Sequence, residues 1–125
     1  MAKIVFTEQA PNPIGPYSQA IIANGFLFVL GQIALQTNGE MADNDLGEET
    51  HQVMKNIGAV LEAAGCNYSS IVKTTIFLVD MNDFAVVNKI YGSYYSGRFP
   101  ARETVEVSAL PKNARVEISV VAEVP

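Results

Sequence analysis

The chain has 125 residues, of which 49% are hydrophobic and 17% charged, enough for one domain with a substantial core. A formal net charge of −5 argues against nucleic acid as a partner, because affinity there comes chiefly from neutralising phosphates. Cys66 is the single cysteine, which excludes an intrachain disulfide scaffold, and no apolar run approaches the roughly 20 residues of a membrane span.

Residues 1–125 read as one domain without a linker, repeat or low-complexity segment. The apolar run at the start, Ile4-Val5-Phe6, is too short for a signal peptide, so the expected location is the cytoplasm. Ile4 to Phe6 reads as a short strand, and Pro11, Pro13 and Pro16 hold the following segment extended. Ser18 to Ala23 and Phe26 to Leu30 are apolar runs joined by Asn24-Gly25, a strong hairpin signal. Thr37-Asn38-Gly39 marks a second turn, and the acidic stretch from Met41 to Glu49 reads as an exposed loop.

A first helix is predicted from about Gly47 to Ala64, with Val53, Ile57, Val60, Leu61 and Ala64 on one face and Gly65 as its stop. Ile71 to Val79 is a β-rich run. Asp80 or Asn82 then caps a second helix reaching about Tyr95, with Phe84, Val87, Asn88, Tyr91 and Tyr95 on one face. Thr104 to Val107 and Arg115 to Glu123 are the closing strands, separated by a turn at Leu110-Pro111-Lys112-Asn113. The pattern predicts an α+β fold with two helices on one face of a sheet of about six strands. Phe26-Leu27-Phe28-Val29-Leu30 is apolar on both sides of its pleat, so the other face requires cover. A homo-oligomer packed sheet to sheet is expected.

The chain lacks a Gly-rich phosphate loop, a serine nucleophile elbow and paired Cys or His residues. His51 stands off the apolar stripe and reads as solvent-facing. Cys66 follows the helix stop and reads as a small buried filler. Together they do not make a metal site. Arg102 opens a strand just after Pro100-Ala101, and its guanidinium fork matches a carboxylate; a surface ion pair is the equal alternative. Alternation puts Val116, Ile118, Val120 and Ala122 on one strand face and Glu117, Ser119 and Val121 on the other. At a subunit contact, desolvation would raise the Glu117 pKa toward the range useful for proton transfer; elsewhere it is an exposed carboxylate. Asn88, polar on an apolar helical face, either caps backbone groups or holds a loop around a site.

In order along the chain stand Gly15-Pro16-Tyr17-Ser18-Gln19-Ala20, Gly31-Gln32-Ile33, Val72-Lys73-Thr74-Thr75, Asn82-Asp83-Phe84 with Asn88, Pro100-Ala101-Arg102, Leu110-Pro111 and Val116-Glu117-Ile118. This set, spanning nearly the whole chain, resembles the RidA family, also called the YjgF family. The resemblance implies a chorismate-mutase-like α+β fold and a homotrimer whose sheets form a barrel-like core, with helices outside and clefts between subunits. It implies hydrolysis of reactive 2-imino acids and their enamine tautomers, such as 2-aminoacrylate, to 2-keto acids and ammonia, with no cofactor.

By position, Arg102 matches the arginine that grips the substrate carboxylate. Glu117 matches the glutamate that holds the attacking water together with backbone groups beside Thr104. Tyr17, from the neighbouring subunit, would line the cleft, Asn88 would support the site and Gly31 lies in the strand passing it. Two positions depart from the family pattern. Leu30 stands where serine is usual, removing a hydroxyl and adding bulk, and Thr104 stands where cysteine is common. The implied partners are a small 2-imino or 2-keto acid and further copies of the chain, with no nucleic acid and no membrane. Competing readings are a 2-keto acid-binding regulatory trimer without catalysis, a ribonuclease or translation inhibitor, and a purely structural protein. The acidic balance and absence of a basic stripe weigh against RNA, and a structural role leaves Arg102 and Glu117 without purpose.

Overall fold

The protein is described from a computed structural model covering residues 1–125. β1 (Lys3–Val5) pairs antiparallel with β2 (Ala20–Ala23), which turns through Asn24 and Gly25 into β3 (Phe26–Gln32). The two turn residues have φ of 51° and 81°, the left-handed geometry that matches strand twist in a two-residue hairpin. α1 (Leu46–Ala63) crosses the sheet and leads to β4 (Ile71–Leu78); α2 (Phe84–Gly92) then connects β4 to β5 (Ala101–Glu106), and β6 (Val116–Glu123) returns to the centre. The sheet order is β1-β2-β3-β6-β4-β5, with only the β4–β5 pair parallel. Two helices on a six-stranded sheet make the expected α+β architecture.

The core lies between the helices and one face of this sheet. Val53, Met54, Ile57, Val60 and Leu61 of α1 are fully buried against Leu27, Ile76, Ile118 and Ala122. Each such side chain removed from water contributes about 1.5–3 kcal/mol. The opposite face is open, and there Ile4, Phe26 and Phe28 remain 68%, 39% and 48% exposed. β3 is therefore buried on one face of its pleat rather than both within the single chain. No helix is long and apolar enough to cross a membrane.

Three boundaries differ from the sequence reading, each for a local reason. The acidic stretch is not loop through Glu49: Asp45 caps α1, its carboxylate accepting from Glu48 N at 2.7 Å, and Glu49 is fully buried. Burial of that carboxylate is offset by Arg115, which donates from both its backbone N and its Nε at 2.7 Å. Asp80 caps a 3-10 turn, Met81–Asp83, and α2 ends at Gly92, before Tyr95, where the Ser93 hydroxyl takes the Ile90 carbonyl at 2.6 Å. β5 starts at Ala101 rather than Thr104, because pairing with Lys73–Leu78 overrides the weak strand propensity of Ala, Arg and Glu.

Removing one partner of the Glu49–Arg115 pair leaves a desolvated charge. Glu49→Ala is expected to lower unfolding free energy by about 3 kcal/mol, read as an earlier urea midpoint, the partial exposure of Arg115 holding the loss to the lower part of the range. A midpoint unchanged from the native chain would contradict the pair's role.

Candidate active site

β3 carries one residue more than β6 between the Val29–Val120 and Gln32–Ile118 pairs, so Leu30 and Gly31 form a bulge. On its other side the Leu30 N–H continues the β2–β3 pairing, donating to the Gln19 carbonyl at 2.9 Å. The bulge faces Glu117. A Cβ on Gly31 would fall 2.5 Å from Glu117 Oε2 and 3.0 Å from its carboxyl carbon, so only glycine lets the carboxylate lie against the strand. Glu117 is part-buried, and desolvation pushes its pKa above the usual carboxylate range. A cavity of about 270 Å³ opens beside it, walled by Tyr17, Ile14, Leu30, Ile33, Leu35 and the Pro111-Lys112 turn.

Three buried polar side chains brace this cavity from behind. Gln19 accepts from Thr7 N at 2.7 Å and donates to the Pro11 carbonyl at 2.8 Å, tying the proline-rich loop to the sheet. Asn56 on α1 donates to the Ile33 and Leu35 carbonyls at 3.1 and 2.8 Å. Glu49 holds Arg115, three residues beyond Lys112 and two before Glu117. The Pro111-Lys112-Asn113 turn itself has φ of 55° and 56° at its last two residues, a left-handed pair sustained by that anchorage.

Arg102 lies elsewhere. Its Nη1 donates to Asn88 Oδ1 at 2.6 Å, and its guanidinium carbon sits 5.5 Å from the Phe84 ring centre and 5.3 Å from that of Tyr91. Phe84, Asn88 and Tyr91 are one helical stripe of α2, so a single helix face frames the cation. The Tyr91 hydroxyl is fixed in turn on Thr74 Oγ1 at 2.8 Å. No carboxylate pairs with Arg102, which sets aside the surface ion pair. A second cavity, of about 430 Å³, opens here against Asn88, Tyr91, Phe99 and Pro100. Thr104 lies on the same side of the edge strand, its Oγ1 buried without a partner.

The chain does not bring Arg102 and Glu117 together. Arg102 pairs with Thr74 of β4, and Glu117 pairs with Phe77 of the same strand. Positions three apart on a strand point to opposite faces, so the guanidinium is under the helices and the carboxylate is on the open face. Tyr17, Leu30 and Gly31 go with Glu117, whereas Asn88 and Thr104 go with Arg102. Tyr17 therefore sits on the cavity of its own chain's Glu117, its hydroxyl accepting from Ile14 N at 3.2 Å. His51 is exposed and bonded to the Tyr94 hydroxyl at 2.8 Å, and Cys66 is buried with its thiol pKa raised by desolvation.

Sequence reasoning passed over Ile14, Leu35 and Lys112, which wall the Glu117 cavity; the first two lie in unpatterned loops and the third was legible only as a turn residue. It also passed over Glu103 on the open face, where the Thr75 hydroxyl and then Lys73, at 3.2 Å, hold its carboxyl below the usual range.

A cation is framed on one face and a desolvated carboxylate lies on the other, each beside a small cavity, in an α+β domain of two helices and one sheet. Residues 7–124 match the family described as Endoribonuclease L-PSP. The RutC family protein slr0709 of Synechocystis is 56% identical over 98% of this chain and 97% of its own length. The human 2-iminobutanoate/2-iminopropanoate deaminase is 44% identical over 96% of this chain and 88% of its own. The crystal structure of YyfA from Yersinia pestis, a Rid family protein of unknown function, superposes with a TM-score of 0.96 at 52% identity, covering 99% of this chain and 100% of that one. The chain belongs to the RidA (YjgF) family.

Glu117 is a cost to the fold wherever it is ionised. Its raised pKa means the folded chain holds the proton more tightly than the unfolded one, so stability falls as pH rises from the ordinary carboxylate range through the raised value. Glu117→Gln is therefore expected to melt above the native protein at neutral pH, with the gap closing toward about pH 4. A gap that is absent at neutral pH, or widens on acidification, would contradict this.

Proposed function

We propose that the protein hydrolyses 2-imino acids and their enamine tautomers to 2-keto acids and ammonia, at a site that two copies complete. The carrying observation is Arg102: a guanidinium oriented by Asn88 and two aromatic faces, beside a cavity, with no carboxylate partner of its own. Such an arrangement is a receptor for the carboxylate of a ligand. Its counterpart is the raised carboxylate of Glu117, which sits on the other sheet face and so can meet that ligand only from a neighbouring copy. The names of relatives such as the human deaminase support the same reaction. The exposed apolar residues of the open face support association, and the homotrimer implied by the family resemblance is part of the proposal.

The chemistry needs few groups, because an imine carbon is already electrophilic. Arg102 fixes the carboxylate and hence the adjacent C2. Glu117 takes a proton from water as the oxygen adds to C2, and the C=N electron pair moves to nitrogen, which receives that proton. In the resulting carbinolamine, Glu117 accepts the hydroxyl proton and passes it to nitrogen. The C–N bond breaks, the C=O bond forms and ammonia leaves, with Glu117 ionised as at the start. Orientation of C2 toward the water supplies much of the acceleration.

Arg102→Ala is expected to lower kcat/KM for freshly generated 2-aminoacrylate by about 100-fold or more while sedimentation shows an unchanged assembly. The native profile should carry an acidic limb above the ordinary carboxylate range, as ionised Glu117 is lost, and any trace turnover of Glu117→Gln should lack that limb. Native turnover in Arg102→Ala would rule out the carboxylate clamp. Tight 2-keto acid binding without ammonia release would make the protein a sensor instead.

A further inference from the structure

We infer that the Glu117 cavity selects 2-imino acids with larger aliphatic side chains, such as that of leucine, over small or acidic ones. This deepens the proposed function and rests on it. With the carboxylate on Arg102 and C2 at Glu117, the rest of the substrate extends along the cavity wall. Much of that wall is hydrocarbon, from Ile14, Leu30, Ile33 and Leu35 with the ring of Tyr17, and Asn12 and Gln32 are its neutral polar members. Glu117 and Lys112 are the only charged residues in it, and Glu117 is committed to the reacting carbon.

Three observations fix the class. First, the cavity, of about 270 Å³, is far larger than the methyl substituent of a three-carbon imine. Second, in the single chain Ile14 is 80% exposed and Tyr17 46% exposed, and an apolar occupant removes from water whatever part of them the neighbouring copy leaves open. Third, Leu30 lies in the bulge next to Gly31, where its branched side chain is presented to the cavity beside Glu117 instead of to the β3–β6 ladder. A second carboxylate on the substrate would lose hydration against this wall and find only the solvent-exposed ammonium of Lys112 in return, a weak partner.

The test uses the intact protein and imines generated in place from alanine, leucine and glutamate by amino-acid oxidases, with keto-acid release timed against the uncatalysed rate. The expected kcat/KM for the leucine-derived imine exceeds that for the alanine-derived one by about tenfold or more, with the glutamate-derived imine slowest. Leu30→Ser should reduce the leucine-to-alanine ratio by about tenfold, and Ile14→Ser, at a loop position that the fold does not need, should reduce it in the same direction. Equal rates for leucine- and alanine-derived imines, preference for the glutamate-derived one, or ratios untouched by both variants would overturn the specificity while leaving the deaminase intact. Acceleration of none of the three would overturn both together.

Discussion

Everything at the site follows from an odd spacing on one central strand. β4 pairs with β5 through Thr74 and Arg102 and with β6 through Phe77 and Glu117. Because successive side chains alternate across a pleat, three steps along β4 carry the partner residues to opposite faces. No side-chain rotation reverses this, since the sheet backbone lies between them. A slip of one residue between β4 and β6 would put both groups on the same face, but would also turn Ile118 and its buried neighbours on β6 out of the core, so hydrophobic burial enforces that register. Under the proposed reading, association is then a requirement of the chemistry, and the unpaired edge and open apolar face of the same sheet are the surfaces available for it.

The two halves are built with different physics. The Arg102 half is rigid by packing: one stripe of α2 supplies an acceptor and two ring faces, and Tyr91 is itself tethered to Thr74 beneath the guanidinium. The Glu117 half is held by backbone capture. Gln19, Asn56 and Glu49 are almost completely buried, and each spends its hydrogen bonds on a loop or turn that walls the cavity. Buried polar groups are favourable only when satisfied, so each loop has one permitted position. That precision supports a carboxylate whose ionised form the fold disfavours, which under the proposed function is a loss of stability placed where proton transfer is needed.

Much of this was legible in the sequence, for reasons that can be named. The Asn24-Gly25 hairpin, the α1 stripe from Val53 to Leu61 and the alternation of Val116 to Ala122 are periodic signals, and the structure contains them within a few residues. The motif residues Arg102, Asn88, Glu117, Tyr17 and Gly31 could be picked out as candidates, and the order of the motifs along the chain was enough for the family. Their arrangement was not legible. It depends on β5 being parallel to β4 and starting at Ala101, a consequence of long-range pairing that overrides local propensity. Glu49 was misplaced because a buried carboxylate looks like any acidic loop residue until Arg115, 66 positions away, is brought beside it. The bracing roles of Gln19 and Asn56 gave no signal for the same reason: the groups they hold are backbone ones, which carry no sequence identity.

The central claim is that Arg102 and Glu117 act from different chains, and subunit mixing tests it without any knowledge of the preferred substrate. Arg102→Ala and Glu117→Gln chains, each inactive as a pure preparation, are unfolded together in equal amounts, refolded and assayed for imine hydrolysis. For a site shared by neighbours, a contact is intact when its Arg102 and its Glu117 both come from the chain that retains them, so random assembly restores about a quarter of native activity. Two residues serving one chain's own site would restore nothing, because every chain lacks one of them, and that result would contradict the account.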